Sequence, residues 1–533
     1  MSRPRRPTGI GRLAGPLLGI ALSAGLMAAL LPASATAVPT KPAPSPPITV
    51  TAPAEVPAYS TFVVSIVVPP RTPAVARRAT VSTSTDGTSF TPLSTWRVSG
   101  RGHHSIAVAA GQKVGRLWLR TDVVGAGVRP QTRTVSVRIT NPYRPSAPDN
   151  VDIPESGIVV PGTLFGNHPI VGIPDDAGTV RLWDTSTSWN QIEPARGQFA
   201  WDALDRAVSA AQSAGQEVLL VLGGTPSWAA IGPAPGSEFA GSGSSMPMTD
   251  AVLFEEYVRA VVARYGSRIS AYQIWNEGNI PSFWRGTPEL MADLTARAYR
   301  VIKQAQPSAT VVAASTGSRW VKGFTEFYPE YLTALAAMGW PIDAYSVHLY
   351  PMASGTPRDR AFLLGLMRTA LRIAQAPDKP IWETEINYGV TNPGLGETAR
   401  AIPDADIPGY VSRTYLDSLR FGIARTYWYA WTPEYRLLGI QMWTGYLSSR
   451  AYHATRDWVV GARFSGCSTA GVTVLCNFDR NGVPFFIAYT DDGSTAQIPA
   501  PAGAVVVTAL DGATSPAGSS VTVTGTPVRI SGP

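Results

Sequence analysis

One alternation of segment types dominates the sequence between residues 155 and 460. Eight short runs rich in β-branched and aromatic residues are each followed by a loop or a helical run, from GTLFG (162–166) to RTYWYAW (425–431). Apolar residues at helical spacing predict helices at about 202–214, 249–265, 288–306, 325–338 and 358–375. Eight such units predict an α/β fold, a (β/α)8 barrel or TIM barrel. An open doubly wound sheet is the alternative, but no glycine-rich phosphate loop opens a helix.

Strand-rich segments flank the barrel on both sides. Residues 49–141 contain about six short alternating strands separated by Gly, Pro and Asp-Gly turns, a pattern typical of an immunoglobulin-like β-sandwich. Residues 462–533 have the same texture and predict a small C-terminal β-domain. We therefore place the barrel at 155–461, which agrees with the roughly two to four domains expected for a chain of this length.

The N-terminus has the pattern of a secretory signal. Arginines in residues 1–12 precede an apolar run at 13–32 and then the small residues Ala33-Ser34-Ala35-Thr36-Ala37. We expect a signal peptide over 1–37, cleaved after Ala35 or Ala37, and then a Pro-rich linker over 38–48. A retained membrane anchor is the alternative, because the apolar run approaches spanning length. Cleavage predicts a secreted protein, extracellular or cell-wall associated, without stable membrane insertion.

The chain has two cysteines, Cys467 and Cys476, separated by eight residues. Export to an oxidising compartment permits a disulfide, and this spacing suits two adjacent strands joined by a turn. A metal site at this pair is disfavoured, because no histidine or second cysteine pair stands nearby.

The charge balance gives little support for binding to nucleic acid. The formal charge is +7, but it includes four arginines in the first twelve positions. No basic cluster is interleaved with aromatic residues, as nucleic-acid surfaces usually require. We therefore expect no nucleic-acid partner.

Carboxylates end two of the predicted barrel strands, where barrel active sites are built. Strand four ends in Trp275-Asn276-Glu277, and strand seven contains Glu383 and Glu385. Glu277 and Glu385 are 108 positions apart, close to three strand–helix units of roughly 35 residues each. The two side chains should therefore face each other across the barrel mouth. Facing carboxylates in different environments suit glycoside hydrolysis.

Other polar residues end neighbouring strands. Arg181 and Asp184 end strand two, and His348 and Tyr350 end strand six. Arg181 is a candidate ion partner for the nucleophile, although a pair with Asp184 or Glu217 would also use it. His348 and Tyr350 are candidates to bind the nucleophile or the substrate. His348 is not expected to bind metal, because no second histidine lies at ligand spacing.

These strand ends resemble the retaining glycoside hydrolases of clan A in Trp275-Asn276-Glu277 and Thr384-Glu385. The resemblance covers about residues 160–460. It is strongest to glycoside hydrolase family thirty-nine and its relatives in three further places: Arg181, the segment Ser188-Trp189 with Ile192-Glu193-Pro194, and Thr225-Pro226-Ser227-Trp228-Ala229.

The resemblance implies a role for each matched residue. Glu277 would be the general acid/base, Glu385 the nucleophile, and Asn276 a ligand of the hydroxyl beside the reacting carbon. The two carboxyl groups of a retaining enzyme should lie about 5–5.5 Å apart. Such a mechanism needs no metal or organic cofactor. Glu383 is the rival nucleophile: regular alternation would place it on the same face as Glu385 but deeper in the barrel. The family pattern favours Glu385.

Tryptophans near the barrel mouth are candidates to stack on sugar rings, with ordinary core packing as the alternative for about half of them. We place Trp431 under the sugar at the cleavage point and Trp228 beside the substrate. The other candidates are Trp189, Trp275, Trp284 and Trp428. Loops at 232–245 and 389–408 would decide whether the enzyme cleaves chain ends or internal bonds.

The sequence therefore predicts a secreted retaining glycosidase whose partner is a polysaccharide or oligosaccharide. A non-catalytic carbohydrate-binding barrel is one alternative, and an adhesin-like surface protein acting through the sandwich is another. Xylosides, glucosides, arabinosides, uronic-acid sugars and bacterial exopolysaccharides all fit as substrates. Nothing in the sequence indicates an oligomeric state.

Overall fold

The computed structural model of the chain describes residues 46–57, 61–70, 76–98, 102–110, 115–126, 128–140, 150–174, 176–232, 243–391 and 399–532. The predicted signal peptide and the linker up to residue 45 lie outside the described residues, as do most of the loop predicted at 232–245 and part of the loop at 389–408. From Ile48 onward, the chain forms one compact unit. No helix within the described ranges is long and apolar enough to cross a membrane.

The N-terminal segment folds into two facing β-sheets. One sheet has the order β1-β3-β6 and the other β2-β8-β7-β4-β5. Alternate residues of these strands, such as Val64 and Ile66 of one sheet and Val81 and Leu119 of the other, are buried in a common core. This agrees with the predicted sandwich. The strands are β1 (Thr49–Thr51), β2 (Glu55–Pro57), β3 (Thr61–Val68), β4 (Arg77–Ser84), β5 (Thr91–Val98), β6 (Gly102–Ala109), β7 (Gly115–Gly125) and β8 (Val128–Thr140).

The predicted (β/α)8 barrel is confirmed. After a short strand β9 (Ile158–Val159), eight parallel strands follow the order β14-β13-β12-β11-β10-β17-β16-β15. A parallel bridge between Val312 and Ala344 joins the two end strands and closes the ring. The barrel strands are β10 (Phe165–Pro169), β11 (Thr179–Leu182), β12 (Glu217–Leu222), β13 (Ala271–Ile274), β14 (Thr310–Val312), β15 (Tyr345–His348), β16 (Ile381–Ile386) and β17 (Ile423–Trp431).

Helices pack around the barrel, and side chains fill its lower interior. Leu219, Ala271, Val312, Trp382 and Tyr427 belong to one fully buried layer inside the ring. A floor of this kind leaves the space above it, at the carboxyl ends of the strands, for a site. The helices are α1 (Trp189–Ile192), α2 (Asp202–Ser213), α3 (Ala251–Tyr265), α4 (Pro288–Ala305), α5 (Val321–Ala337), α6 (Asp359–Ile373), α7 (Ile407–Arg420) and α8 (Leu447–Val459).

The C-terminal segment forms a seven-stranded sheet of order β23-β22-β25-β20-β19-β18-β9 and a two-stranded sheet β21-β24. Cys467 and Cys476 face each other on adjacent strands and form the predicted disulfide. The strands are β18 (Arg463–Ala470), β19 (Thr473–Arg480), β20 (Val483–Thr490), β21 (Ala496–Pro499), β22 (Val506–Thr508), β23 (Thr514–Pro516), β24 (Ser520–Val523) and β25 (Val528–Ser531).

One strand of this sheet comes from the other end of the barrel sequence. β9 precedes the barrel, yet it pairs antiparallel with β18 through Ile158 and Phe464. The apolar core is also shared, because Phe478 and Tyr489 of the C-terminal sheet cluster with Tyr415 and Trp428 of the barrel unit. The C-terminal sheet is therefore built onto the barrel from two distant segments.

Candidate active site

A cavity of about 600 Å³ lies at the carboxyl ends of the barrel strands. The predicted pair Glu277 and Glu385 both line it, together with Asn276 and Tyr350. Asn276 and Glu277 follow β13, Tyr350 follows β15, and Glu385 lies near the end of β16, as expected for side chains at the top of a barrel.

The backbone around Glu277 has an uncommon conformation. Trp275 and Glu277 have φ angles of 68° and 40°, in the left-handed region that side-chain-bearing residues rarely adopt. The Glu277 N–H donates to Ser315 Oγ at 2.9 Å, which holds this turn. A Cβ on Gly317 would lie 2.8 Å from Glu277 Oε1, so the carboxyl group fits only because position 317 has no side chain. Strained backbone of this kind concentrates at functional sites.

Glu385 is held by two donors. The fully buried Arg181 donates from Nη1 to Glu385 Oε1 at 2.6 Å, and Tyr350 donates from its hydroxyl to Oε2 at 2.9 Å. Arg181 also donates to Asn276 Oδ1 at 2.7 Å and to Gln273 Oε1 at 3.0 Å. These charge-assisted bonds stabilise negative charge on Glu385 and fix its orientation. Arg181 thus forms the predicted ion pair with Glu385.

His348 lies between the two carboxyl groups. Its Nδ1 is 3.0 Å from Glu277 Oε1 and 3.4 Å from Glu385 Oε2. Burial lowers the pKa of His348 to about 3, so the ring is neutral at physiological pH. Among the described residues, its Nε2 has no hydrogen-bond partner. A neutral ring in this place can exchange a hydrogen bond with either acid without adding a positive charge.

The two acids have different electrostatic environments. Burial raises the pKa of Glu277 to about 7, and the positive charges of Arg319 and Arg181 only partly oppose this effect. A large fraction of Glu277 is therefore protonated near neutral pH, whereas Glu385 has an arginine in direct contact. Burial also keeps the pKa of the Tyr350 hydroxyl well above its usual value, so Tyr350 remains a donor. The pair combines a proton donor with a stabilised anion.

A third carboxylate in the cavity, Asp184, had no role predicted from the sequence. Its Oδ1 is 2.9 Å from His168 Nε2, and its Oδ2 accepts a 2.9 Å hydrogen bond from the Tyr429 hydroxyl. Its φ is 53°, again in the left-handed region. The position of Asp184 just after β11 was the only signal in the sequence. Two donors fix this carboxylate so that it can accept a hydrogen bond from a ligand in the cavity.

Two tryptophans that were predicted to bind substrate, Trp431 and Trp228, are not among the residues that line the cavity. Trp431 is 6% exposed and packs against Trp443 with ring centroids 5.4 Å apart. The aromatic residue that β17 presents to the cavity is Tyr429. Trp228 donates from its indole nitrogen to Glu193 O at 2.9 Å and packs edge-on against another tryptophan of the outer layer. The other four candidate tryptophans are buried in the core, in agreement with the alternative that they serve ordinary packing: Trp189, Trp275, Trp284 and Trp428.

Glu383 faces away from the cavity, which differs from the predicted face. It forms an ion pair with Arg360 of α6, whose Nη1 also donates to Thr414 O of α7. The register between β15 and β16 shifts so that Val347 pairs with Glu383 but His348 with Glu385. This irregularity breaks the alternation on which the expectation rested and turns Glu385 inward.

Within the described ranges, no group of three or more His, Cys, Asp or Glu side chains is placed to hold a metal ion. The chemistry that the cavity offers is proton transfer and nucleophilic attack by carboxyl groups.

The comparisons with known proteins agree with this chemistry. The model of glycosyl hydrolase family 10 matches residues 181–364, a segment that begins at Arg181 and contains Glu277. A family 39 glycoside hydrolase from the gut symbiont Bacteroides cellulosilyticus WH2 is 18% identical over 86% of this chain and 95% of its own, with a TM-score of 0.51. This likeness shows the shared fold.

Two further structures have lower scores. A glucosidase from Croceicoccus marinus is 13% identical over 70% of this chain and 98% of its own, with a TM-score of 0.49. A family 30 endoxylanase from Clostridium papyrosolvens C71 is 12% identical over 72% of this chain and 98% of its own, with a TM-score of 0.46. The predicted resemblance to the clan A glycoside hydrolases is confirmed by the family match over residues 181–364, which supports O-glycosyl hydrolase activity.

Proposed function

We propose that the protein is a secreted retaining glycosidase that cleaves O-glycosidic bonds of a polysaccharide or oligosaccharide. Glu277 acts as general acid/base and Glu385 as nucleophile. The observation that carries the proposal is the cavity-facing pair of carboxyl groups with opposite environments. One His348 nitrogen lies within 3.4 Å of an oxygen of each. These two oxygens are therefore at most 6.4 Å apart, which is compatible with the about 5–5.5 Å between the carboxyl groups of a retaining enzyme.

The first step forms a covalent glycosyl-enzyme. Glu385 attacks the anomeric carbon, the bond from that carbon to the leaving oxygen breaks, and Glu277 transfers its proton to this oxygen. In the second step, ionised Glu277 removes a proton from water, whose oxygen attacks the anomeric carbon and releases Glu385. Two displacements at one carbon return the sugar to its original configuration.

The surrounding residues position these two groups. Arg181 and Tyr350 hold both oxygens of Glu385, so the attacking carboxylate cannot rotate freely. Asn276 uses its Oδ1 to accept from Arg181, which leaves its amide NH2 to donate to a substrate hydroxyl in the cavity. Preorganised donors of this kind stabilise the charge that develops in the transition state.

Secretion is supported by two features of the chain. The first twelve residues are followed by an apolar run and small residues, as in signal peptides. The disulfide between Cys467 and Cys476 suits an oxidising compartment. Mass spectrometry of the protein from culture medium should give an N-terminus at residue 36 or 38. A full-length chain retained in the membrane fraction would contradict secretion.

The enzymatic assignment can be tested by turnover and by trapping. Reducing-sugar release should be measured on a panel of plant and bacterial polysaccharides and aryl glycosides, with Glu385→Gln beside the wild type. A 2-fluoro glycoside of the best substrate should then label the protein, and peptide mapping should place the label on Glu385. Glu256→Gln, which changes an exposed carboxylate outside the cavity, is the matched control and should behave like the wild type.

Product stereochemistry provides a second, independent test of the retaining mechanism. NMR of the first-formed sugar should show the anomeric configuration of the substrate. An inverted product would refute the retaining mechanism. Unchanged turnover in Glu385→Gln would refute the nucleophile, and tight polysaccharide binding without any turnover would favour a carbohydrate-binding protein.

A further inference from the structure

The charged groups of the cavity are not equally partnered. Three carboxylates line it, Asp184, Glu277 and Glu385, and each already meets a donor of the protein, as described above. Two arginines also line it, Arg285 and Arg319. Among the described residues, neither arginine has an acidic side chain within ion-pair distance. Among the described residues, the two arginines therefore stand in the cavity without an ion-pair partner of their own.

Both arginines stand on the Glu277 side of the cavity. Arg285 follows β13, the strand that also carries Glu277, and Arg319 follows the next strand, β14. The positive charge of Arg319 partly opposes the rise in the pKa of Glu277, so this charge stands beside the proton donor.

Arg319 is held in a fixed orientation. Its Nη1 donates to Val390 O at 2.9 Å, and its guanidinium lies 4.9 Å from the Trp320 ring centroid and 5.7 Å from that of Tyr350. The side chain is half-buried, and the loss of hydration lowers its pKa, but an arginine keeps its charge at physiological pH. While Glu277 is protonated, it supplies no counter-charge. An external anion would supply one.

We propose that the natural substrate carries a carboxylate, as in a uronic acid, on the leaving-group side of the scissile bond, and that Arg319, assisted by Arg285, binds it. The inference rests on the proposed function, because the general acid protonates the leaving oxygen and so defines the side on which the leaving sugar lies. The planar guanidinium matches a carboxylate, and the partial burial strengthens such a pair. Arg319 is then a specificity-determining residue.

The test uses pairs of polymers that differ in charge alone. Alginate, hyaluronan and glucuronoxylan are each assayed beside their carboxyl-reduced forms, with wild type and Arg319→Gln. The wild type should prefer the carboxylate form of at least one polymer. On that form, Arg319→Gln should lower kcat/KM by about 10–100-fold, the range for a lost hydrogen bond to a charged group. On the reduced form, the loss should be clearly smaller, because only the effect of the Arg319 charge on Glu277 remains.

Three controls sharpen this result. Arg319→Lys should recover part of the preference for the carboxylate form, because the positive charge is kept while the planar guanidinium with its paired donors is lost. Arg196→Gln removes an exposed arginine outside the cavity and should change neither activity. Added salt should raise KM for the carboxylate form only, since salt screens the attraction.

Each other outcome contradicts a specific claim. Equal loss on both forms, with a shifted pH profile, would mean that Arg319 acts only through Glu277, and would overturn the inference. A wild type that prefers the reduced polymers would also overturn it and leave the proposed function intact. Turnover that Glu385→Gln does not abolish would refute the proposed function itself.

Discussion

Strand β16 carries two glutamates that each meet a buried arginine, and the two pairs have opposite roles. Glu383 pairs with Arg360 between the sheet and the helices, and its side chain is fully enclosed. Glu385 pairs with Arg181 inside the barrel, and 8% of its side chain is exposed to the cavity. The remaining donors also differ: Arg360 bonds to α7, whereas Arg181 bonds to Asn276 and Gln273 of the site.

The comparison teaches that an ion pair alone does not reveal a site. Residue type, burial and arginine partner are nearly the same in both cases. What separates them is access to the cavity and the identity of the third partner. The enclosed pair joins helices to the strand, and the open pair holds the carboxylate that we propose as the nucleophile.

Replacing Glu385 should give the largest effect. In Glu385→Gln, kcat should fall by a factor on the order of 10⁴ or more, as for other residues that act as nucleophiles. The amide still accepts a hydrogen bond, so the circular dichroism spectrum should stay native. Steady-state kinetics on the best substrate measure the loss. Retention of more than a few per cent of the activity would contradict the role.

Replacing Glu383 should have the opposite result, a loss of stability without a loss of activity. Glu383→Gln leaves the Arg360 cation buried and unpaired, so the free energy of unfolding should fall by about 3–5 kcal/mol. Activity of the folded fraction should not change. Urea denaturation measures the effect, and the double change Glu383→Leu with Arg360→Met should recover most of it, because no buried charge remains. A selective loss of kcat would put Glu383 in the site.

Removing one tyrosine hydroxyl beside each glutamate should sharpen the contrast. Tyr350→Phe deletes one of the donors to Glu385 and should lower kcat/KM by about 10–100-fold. Tyr388→Phe deletes a bond to Thr414 on the helix side and should cost only about 1 kcal/mol of stability. Steady-state kinetics and thermal melts of both variants measure the two effects. Equal kinetic losses in both variants would contradict the difference between the two glutamates.

A pH dependence of activity should belong to the cavity alone. The groups facing Glu277 are the neutral His348 and the cations Arg319 and Arg181, and burial raises its pKa to about 7. The acid form is needed for the first step, so kcat/KM should decline as pH rises above about 7, tenfold per unit. The decline should be absent from the residual activity of Glu277→Gln, measured on an activated aryl glycoside that needs no acid.

The same shift predicts a change in stability. Between about pH 4.5 and 7, the folded protein binds a proton at Glu277 that the unfolded chain has lost. Stability should therefore fall as pH rises through this window, and Glu277→Gln should reduce that slope. Urea denaturation at several pH values provides the measurement. An unchanged slope would contradict the shift.

Much of the fold was accessible from the sequence. All eight barrel strands lie within or next to the predicted runs, because parallel strands buried on both sides are continuous in apolar residues. Glu277 and Glu385 could be found because the repeat length places strand ends at regular intervals. Arg181 was predicted as a candidate ion partner of Glu385, and the structure contains that contact.

Other features depend on geometry that a sequence pattern does not contain. Regular alternation put Glu383 and Glu385 on one face, but the register shift beside Val347 separates them. Trp431 was predicted to stack on a sugar, but β17 presents Tyr429 to the cavity instead. Asp184 acquires one partner from the neighbouring strand β10, at His168, and the other from β17, far along the chain, at Tyr429. Such contacts follow only from closure of the barrel.

The pairing of β9 with β18 has a consequence for synthesis. Ile158 leaves the ribosome roughly 300 residues before its partner Phe464 exists, a wait of about 15–60 s at ordinary translation rates. During that time, the edge of β9 and the apolar faces that later meet the C-terminal sheet have no native partner. Residues made after the barrel are thus the ones that enclose this side of it. A chain released early, near residue 461, would carry a nearly complete catalytic machinery in a form prone to aggregate.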